Sequence, residues 1–169
     1  MISTKLKIET INQMDKNSFT ETLGWIFEHS PWVAERTWSK KPFASISDLH
    51  QVMKHIVNES TTEEKLALVR AHPVLATRQR MAEASVEEQS GAGLNQLSKE
   101  EFEDFQQLNQ AYFDKFQFPF IMAVKGQNKD TIRAAMRERL QLSPEKELEE
   151  ALQQIYKIAR FRLEDLIIE

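Results

Sequence analysis

A histidine, a hydroxyl, a carboxylate and a carboxamide lie close together in the sequence and are the side chains best suited to chemistry. His72 directly precedes Pro73, and Ser85, Glu88 and Gln89 follow at i, i+3 and i+4 spacing. On a helix, that spacing puts the last three side chains on one face. An imidazole near such a face suits the binding of a small polar heterocycle and the movement of protons. Two alternatives stay open: His72 as an ordinary helix-end residue, and Ser85 with Glu88 as a capping box.

An arginine lies where the last predicted helix should be apolar. Arg162 continues the helical stripe formed by Leu148, Leu152, Ile155, Ala159 and Leu166. A buried guanidinium is unfavourable unless an anion pairs with it. Either Arg162 snorkels to the rim or pairs with a structural carboxylate of the protein, or its anion is a substrate carboxylate held bidentately. In the second case we expect the charge to point into a pocket and to lack a full complement of protein partners.

The segment from Phe118 to Val124 is a short apolar run that contains Pro119 and is closed by Gly126. The run is too short, and its apolar pattern too flat, for a helix. It therefore predicts an extended stretch whose backbone N–H and C=O groups need partners among neighbours, water or a ligand. The segment is either a buried connector or a backbone edge that pairs with the amide groups of a ligand.

Helical signals fill the rest of the chain. Apolar residues recur with a period of about 3.6, including a long helix from about Lys99 to Lys115 and a final one from about Pro144 to Ile168. Gly91 and Gly93 are typical of a C-cap that closes the Ser85 helix. Five helix starts are predicted by capping boxes and Ser-Pro pairs: Ser18 with Glu21, Ser60 with Glu63, Ser98 with Glu101, Ser30-Pro31 and Ser143-Pro144. Ser47-Asp48 is a weaker sixth.

These elements predict an all-α fold, a helical bundle of about eight helices that spans residues 1–169 as a single domain. A net charge of -4 without a basic stripe argues against a nucleic-acid partner. The chain has no cysteine, and its histidines lack metal-ligand spacing, so we expect no metal site. No segment is typical of a signal peptide or a membrane span, which predicts a cytoplasmic protein without a membrane partner.

A series of short motifs over most of the chain resembles the 2-oxo-4-hydroxy-4-carboxy-5-ureidoimidazoline (OHCU) decarboxylases, which catalyse the last step from urate to (S)-allantoin. The motifs are Leu23-Gly24, Phe27-Glu28-His29-Ser30-Pro31-Trp32-Val33, Pro42-Phe43, Ala71-His72-Pro73, Ser85-x-x-Glu88-Gln89-x-x-x-Gly93-Leu94, Leu108-Asn109-x-x-Tyr112-x-x-Lys115-Phe116-x-Phe118-Pro119-Phe120 and Ile158-Ala159-x-x-Arg162-Leu163. Two positions depart from the family pattern. Val74 replaces the usual Asp, and Gln117 replaces the usual Gly between two Phe.

The resemblance implies an all-α fold, decarboxylation of OHCU without a cofactor, and a homodimer. The family's proton-transfer histidine falls on His72 and its acidic partner on Glu88. The substrate contacts fall on Pro73, Ser85, Gln89, Arg162 and the backbone of Ile121, Met122, Ala123, Val124 and Lys125. Two other functions stay open: a non-catalytic helical ligand-binding module, and an enzyme of the same fold that acts on a related ureido or hydantoin acid.

Overall fold

A computed structural model of the chain describes residues 5–76 and 83–169. Helices make up nearly all of the regular structure in these residues. They are α1 (Ile8–Asn12), α2 (Lys16–Leu23), α3 (Trp32–Trp38), α4 (Ile46–Asn58), α5 (Thr62–Ala71), α6 (Glu83–Gly91), α7 (Lys99–Phe116), α8 (Lys129–Arg139) and α9 (Pro144–Leu166), with two short strands, β1 (Leu6–Lys7) and β2 (Ile167–Ile168). The all-α prediction is confirmed, with nine helices in the described residues where about eight were predicted.

The chain forms two compact units. The first consists of Met1–Ala71 and Tyr156–Glu169, and the second consists of His72–Ile155. Helix α9 contributes residues to both units. The prediction of a single domain over residues 1–169 stays a prediction. In the described parts of both units, no helix is long and apolar enough to cross a membrane.

The first unit buries the apolar faces of its helices and closes with a two-stranded parallel sheet. Phe19, Leu49, Met53 and Ala159 are fully buried in its core. Strand β1 pairs with β2, with Leu6 opposite Ile167. The last helix therefore ends at Leu166, two residues before the predicted end, because the backbone after it hydrogen-bonds to β1 instead of continuing the helix.

The second unit is built around the aromatic residues of α7 and the segment that follows this helix. The ring of Tyr112 lies 4.6 Å from Phe116, 5.9 Å from Phe118 and 5.3 Å from Phe120, measured between ring centroids. Such tilted and edge-on contacts add to the stabilisation that burial of the rings provides. The predicted irregular segment after Phe116 is confirmed, and these rings anchor it to α7.

Helix ends matched the predictions least well. The capping box of Ser98 with Glu101 is confirmed, since each side chain bonds the other's backbone N–H. At α5, however, the reciprocal bonds join Thr61 and Glu64, at 3.1 Å in both directions, so the prediction of Ser60 with Glu63 was one residue too early. Neighbouring residues of the same chemical type make both registers possible in the sequence.

Two further starts were also misplaced. Asp15 caps α2 by accepting from the N–H of Ser18 at 2.7 Å, so Ser18 lies inside the helix. Ser45, not Ser47, caps α4 by accepting from the N–H of Asp48. Any oxygen-bearing side chain within a turn of the first apolar residue satisfies the pattern, and only the backbone conformation selects one.

Candidate functional site

The face of α6 that was predicted from spacing is confirmed. Ser85 and Gln89 are buried and Glu88 is half-buried, whereas Val86 and Glu87 are exposed. The hydroxyl, the carboxylate and the carboxamide therefore share the inward side of one short helix in the second unit. The alternative reading, in which Ser85 caps a helix, is wrong because α6 begins at Glu83 and Ser85 lies within it.

Gly93 ends α6 in a Schellman motif. The N–H of Leu94 donates to the carbonyl of Gln89 at 3.0 Å, and the N–H of Gly93 donates to that of Ser90 at 3.0 Å. Gly93 has a φ of +80°, in the left-handed region that this motif requires and that glycine adopts without strain. The motif fixes the end of the helix at Gly91, two residues after Gln89, and confirms the predicted C-cap.

His72 follows the last residue of α5 and is buried, with 7% of its surface exposed. The short stretch after it is held by two side chains of the second unit. The Nδ2 of Asn109 on α7 donates to the carbonyl of Leu75 at 2.9 Å. The N–H of Ala76 donates to Oε1 of Gln89 at 3.0 Å. Gln89 thus contacts the backbone of the stretch that begins with His72 and Pro73.

The segment after α7 has no regular structure from Phe118 to Val124. Ile121, Ala123 and Val124 are buried, Met122 is half-buried and Lys125 is exposed. Nη1 of Arg139 donates to the carbonyl of Ile121, and the N–H of Ala123 donates to Oε1 of Gln154 at 3.0 Å. At these two groups the protein itself satisfies the backbone, as expected of a buried connector.

Arg139 also belongs to a buried polar cluster that the sequence analysis did not identify. Its guanidinium pairs with Glu147, whose side chain is fully buried, and the hydroxyl of Tyr112 donates to the same carboxylate oxygen. Burial, followed by the bond to Glu147, raises the pKa of Tyr112 well above its ordinary value. The cluster connects α7, α8 and α9 to the Ile121 carbonyl. The one signal in the sequence was Glu147, an acidic residue in the first turn of α9 one position before the apolar stripe.

In the first unit, Arg162 is buried on its helix as predicted, with 2% of its surface exposed. Its Nη2 lies 3.0 Å from Oε2 of Glu28, which is also 2% exposed. Its Nη1 donates to the carbonyls of Trp25 at 3.1 Å and Ile26 at 3.4 Å. The expectation that a substrate-binding Arg162 would lack protein partners is therefore corrected, because Glu28 balances its charge. Glu28 is therefore the structural carboxylate that was one of the alternatives for the partner of Arg162.

Among residues 5–76 and 83–169, no group of three or more His, Asp or Glu side chains could hold a metal ion. The chemically capable groups of the predicted site are an imidazole, carboxylates, amides and a guanidinium, which suit proton transfer and the binding of an anion. They lie in two units: His72, Pro73, the α6 face and the Ile121–Lys125 backbone in the second, and Arg162 in the first.

Comparison with known proteins gives these groups a context. The family model described as OHCU decarboxylase matches residues 12–164, nearly the whole chain. The chain belongs to the OHCU decarboxylase family. The OHCU decarboxylase of Halalkalicoccus jeotgali is 47% identical to it over 165 residues, which are 98% of this chain and 94% of that protein. That of Haloferax volcanii is 45% identical over 159 residues, 94% of this chain and 95% of that protein.

Two further matches are longer proteins than this OHCU decarboxylase family member. The uric acid degradation bifunctional protein PucL of Bacillus subtilis is 49% identical over 96% of this chain, which spans 33% of its length. A crystal structure of (S)-allantoin synthase is similar with a TM-score of 0.78 and 35% identity. The similarity covers 96% of this chain and 54% of that one.

The departure from the family pattern at Gln117 falls on a helix end. Gln117 is the C-cap of α7 and has a φ of +64°, the left-handed conformation in which glycine is favoured. Its side-chain Nε2 donates to the carbonyls of Phe113 at 3.1 Å and Asp114 at 3.0 Å. These bonds to the last carbonyls of the helix offset the strain, so the backbone before Phe118 keeps the turn that a glycine would allow.

Proposed function

We propose that this protein catalyses the decarboxylation of OHCU to (S)-allantoin in urate degradation, without a cofactor. The observation that carries the proposal is the 47% identity with an OHCU decarboxylase over nearly the full length of both chains. The similarity to the crystal structure of (S)-allantoin synthase, at 35% identity, supports the stereochemistry. The geometry is compatible, because buried acid–base and anion-binding groups are what the reaction needs.

The substrate supplies its own electron sink. Its carboxylate leaves from a carbon that bears a hydroxyl and is adjacent to a C=N bond. The electron pair of the broken C–C bond flows into that C=N bond, and the nitrogen of this bond gains a proton. The hydroxyl then loses its proton to become a carbonyl, and the neighbouring carbon gains a proton. The protein therefore has three tasks: to orient the carboxylate, to accept the hydroxyl proton, and to deliver a proton to one face of the neighbouring carbon.

We assign proton delivery to His72 and acceptance of the hydroxyl proton, or orientation of that group, to Glu88. Ser85, Gln89 and Pro73 contact the ring, and Arg162 binds the carboxylate with its charge shared with Glu28. Gln89 contacts the substrate through its Nε2, because its Oε1 accepts from Ala76. The backbone from Ile121 to Lys125 contacts the ureido and ring amides.

The experiment generates OHCU in situ from urate and follows its decay and the circular dichroism of the product. We expect faster decay and a single allantoin enantiomer with the protein. His72→Asn should lower the rate by about 10²–10⁴-fold and give racemic product. His55→Asn, which changes an exposed histidine of α4, is the matched control. Decay at the uncatalysed rate with the intact protein would contradict the proposal, as would full activity of folded His72→Asn.

Three further properties belong to the same proposal. EDTA should leave the activity unchanged, because the substrate holds the electron sink; a loss that added metal restores would contradict a cofactor-free site. We also propose a homodimer, which light scattering during gel filtration would test by mass. The cytoplasm is the proposed location, and fractionation of cells that express the protein tests it.

A further inference from the structure

One peptide group in the second unit is held from both sides. The carbonyl of Leu75 and the N–H of Ala76 belong to the same peptide bond. Nδ2 of Asn109 on α7 donates to the carbonyl, and Oε1 of Gln89 on α6 accepts from the N–H. Two helices thus fix the plane of a single peptide, which lies three residues after His72.

The conformation of this peptide makes the two bonds necessary. Ala76 has a φ of +56°, in the left-handed region that L-residues with a Cβ seldom adopt. Leu75 and Ala76 are both buried, so little water can reach their peptide to replace the two hydrogen bonds. Without its side-chain partners, the peptide would rotate toward a relaxed conformation, and the backbone at His72 would move with it.

Asn109 is placed for this task. It lies on α7 between Phe105 and Tyr112, four residues after the first and three before the second, and both rings are fully buried. Its Oδ1 is buried and has no hydrogen-bond partner among the residues that the structure describes. An apolar residue at this position would avoid that desolvated oxygen, so the donor bond to Leu75 is the function that the amide serves.

We propose that Asn109 is a positioning residue, which together with Gln89 clamps the Leu75–Ala76 peptide and thereby sets the position of the His72 imidazole. The inference rests on the proposed function, in which His72 delivers the proton. It also gives Gln89 two tasks, since its oxygen holds the clamp while the same side chain contacts the substrate.

The test compares Asn109→Leu and Asn109→Asp with the control Gln110→Leu. Gln110 is the next residue on α7, is exposed, and bonds only to Asp114 within its helix among the described contacts. We expect Asn109→Leu to lower kcat roughly 10- to 100-fold with KM changed less than about threefold, because the proton donor is misplaced while the binding groups remain. The enantiomeric purity of the product should fall as well. The control should leave kcat, KM and purity unchanged.

Asn109→Asp supplies a rescue that a packing role would not show. A carboxylate cannot donate to the Leu75 carbonyl, whereas a protonated carboxyl can. The ratio of the variant's kcat to that of the wild type should therefore rise as the pH falls through the pKa of the introduced carboxyl group. A pH-independent ratio near one would overturn the proposal. So would an Asn109→Leu protein with a lower Tm but unchanged kcat and purity. If Asn109→Leu does not fold, the pH dependence of kcat in the near-isosteric variant Asn109→Asp tests the proposal by itself.

A readout without turnover separates this inference from the proposed function. The imidazole signal of His72 in NMR spectra of histidine-labelled protein is assigned by its loss in His72→Asn. It should shift in Asn109→Asp at neutral pH and stay in place in Gln110→Leu. A shift in a protein that does not act on OHCU would support the clamp and refute the proposed function. An unmoved signal in an active enzyme would refute the clamp alone.

Discussion

At the residue scale, the pair of Arg162 and Glu28 changes what substitution of the arginine should do. An uncompensated buried cation would make its removal stabilising. Here both partners are 2% exposed and lie 3.0 Å apart, so removal of one leaves the other buried without its counter-charge. Breaking such a pair is strongly unfavourable, whereas replacement of both partners by apolar groups is often tolerated.

Arg162→Met should therefore destabilise the protein by about 3–5 kcal/mol, because Glu28 loses this buried counter-charge. The double variant Arg162→Met with Glu28→Gln should recover part of this loss. Chemical denaturation measures both. Arg160→Met is the matched control, since Arg160 lies on the same helix in a part-exposed i,i+4 pair with Glu164. Such a pair contributes only about 0.3–0.5 kcal/mol. If Arg162→Met has the same free energy of unfolding as the wild type, the burial of Glu28 does not depend on its pairing with Arg162.

The sequence predicted the burial of Arg162 but not the identity of its partner. The apolar stripe of α9 follows from local spacing, which a sequence displays directly. Glu28 is 134 residues away in the chain, and nothing in local spacing joins the two positions. The same applies to Asn109 and Leu75, which are 34 residues apart. Side chains on one helix face were predictable, and the contacts that give them their roles were not.

At the element scale, the two glycines at the end of α6 are a matched pair. Gly91 is the last residue of the helix, and Gly93 has the left-handed φ of the Schellman motif. A Cβ at either glycine would meet no atom within 4 Å in the described part of the chain, so only backbone conformation distinguishes them. Gly93→Ala should destabilise by about 1 kcal/mol. Gly91→Ala should be neutral or stabilise by up to about 1 kcal/mol. Thermal unfolding of both variants checks this, and equal effects would contradict it.

The capping box of α7 predicts a pH dependence. Nζ of Lys129, 2.7 Å away, and the backbone N–H of Ser98 lower the pKa of Glu101 to about 2. Because the folded pKa lies below the unfolded one of about 4.3, the contribution of Glu101 is fully present above the unfolded value. It is lost as the pH falls toward 2. The Tm difference between wild type and Glu101→Gln should therefore be largest near neutral pH and vanish near pH 2. A constant difference would contradict this assignment.

The same box shows where helix boundaries were predictable. Ser98 and Glu101 are flanked by residues that offer no competing register, and their prediction is confirmed. Around Thr61 and Glu64, both the cap and the acidic residue have a neighbour of the same type, at Ser60 and Glu63. The apolar periodicity predicts that such a helix is present. A shift of its start by one residue, however, leaves its apolar face nearly unchanged. The start therefore depends on backbone geometry that the sequence does not display.

At the scale of the whole molecule, the all-α class was predictable because it sums many local signals, each of them weak. The division into two units was not, because it depends on which distant segments pack together. Pairing of Leu6 with Ile167 is the clearest case, since it joins residues near opposite ends of the chain. Loop closure of that length has no local signature in a sequence.

The discontinuity of the first unit has a consequence for the order of events during synthesis. His72–Ile155 leave the ribosome as one continuous stretch, whereas the first unit must wait for Tyr156–Glu169. Until that segment emerges, Glu28 cannot form its ion pair with Arg162, and β1 cannot pair with β2. We expect nascent chains stalled when Ile155 has just left the ribosome exit tunnel to protect the second unit from protease while the first is still cleaved, because domains fold as their residues become available. Simultaneous protection of both would contradict this order. The second unit, with the proposed proton-transfer residues, is thus complete before the first can close.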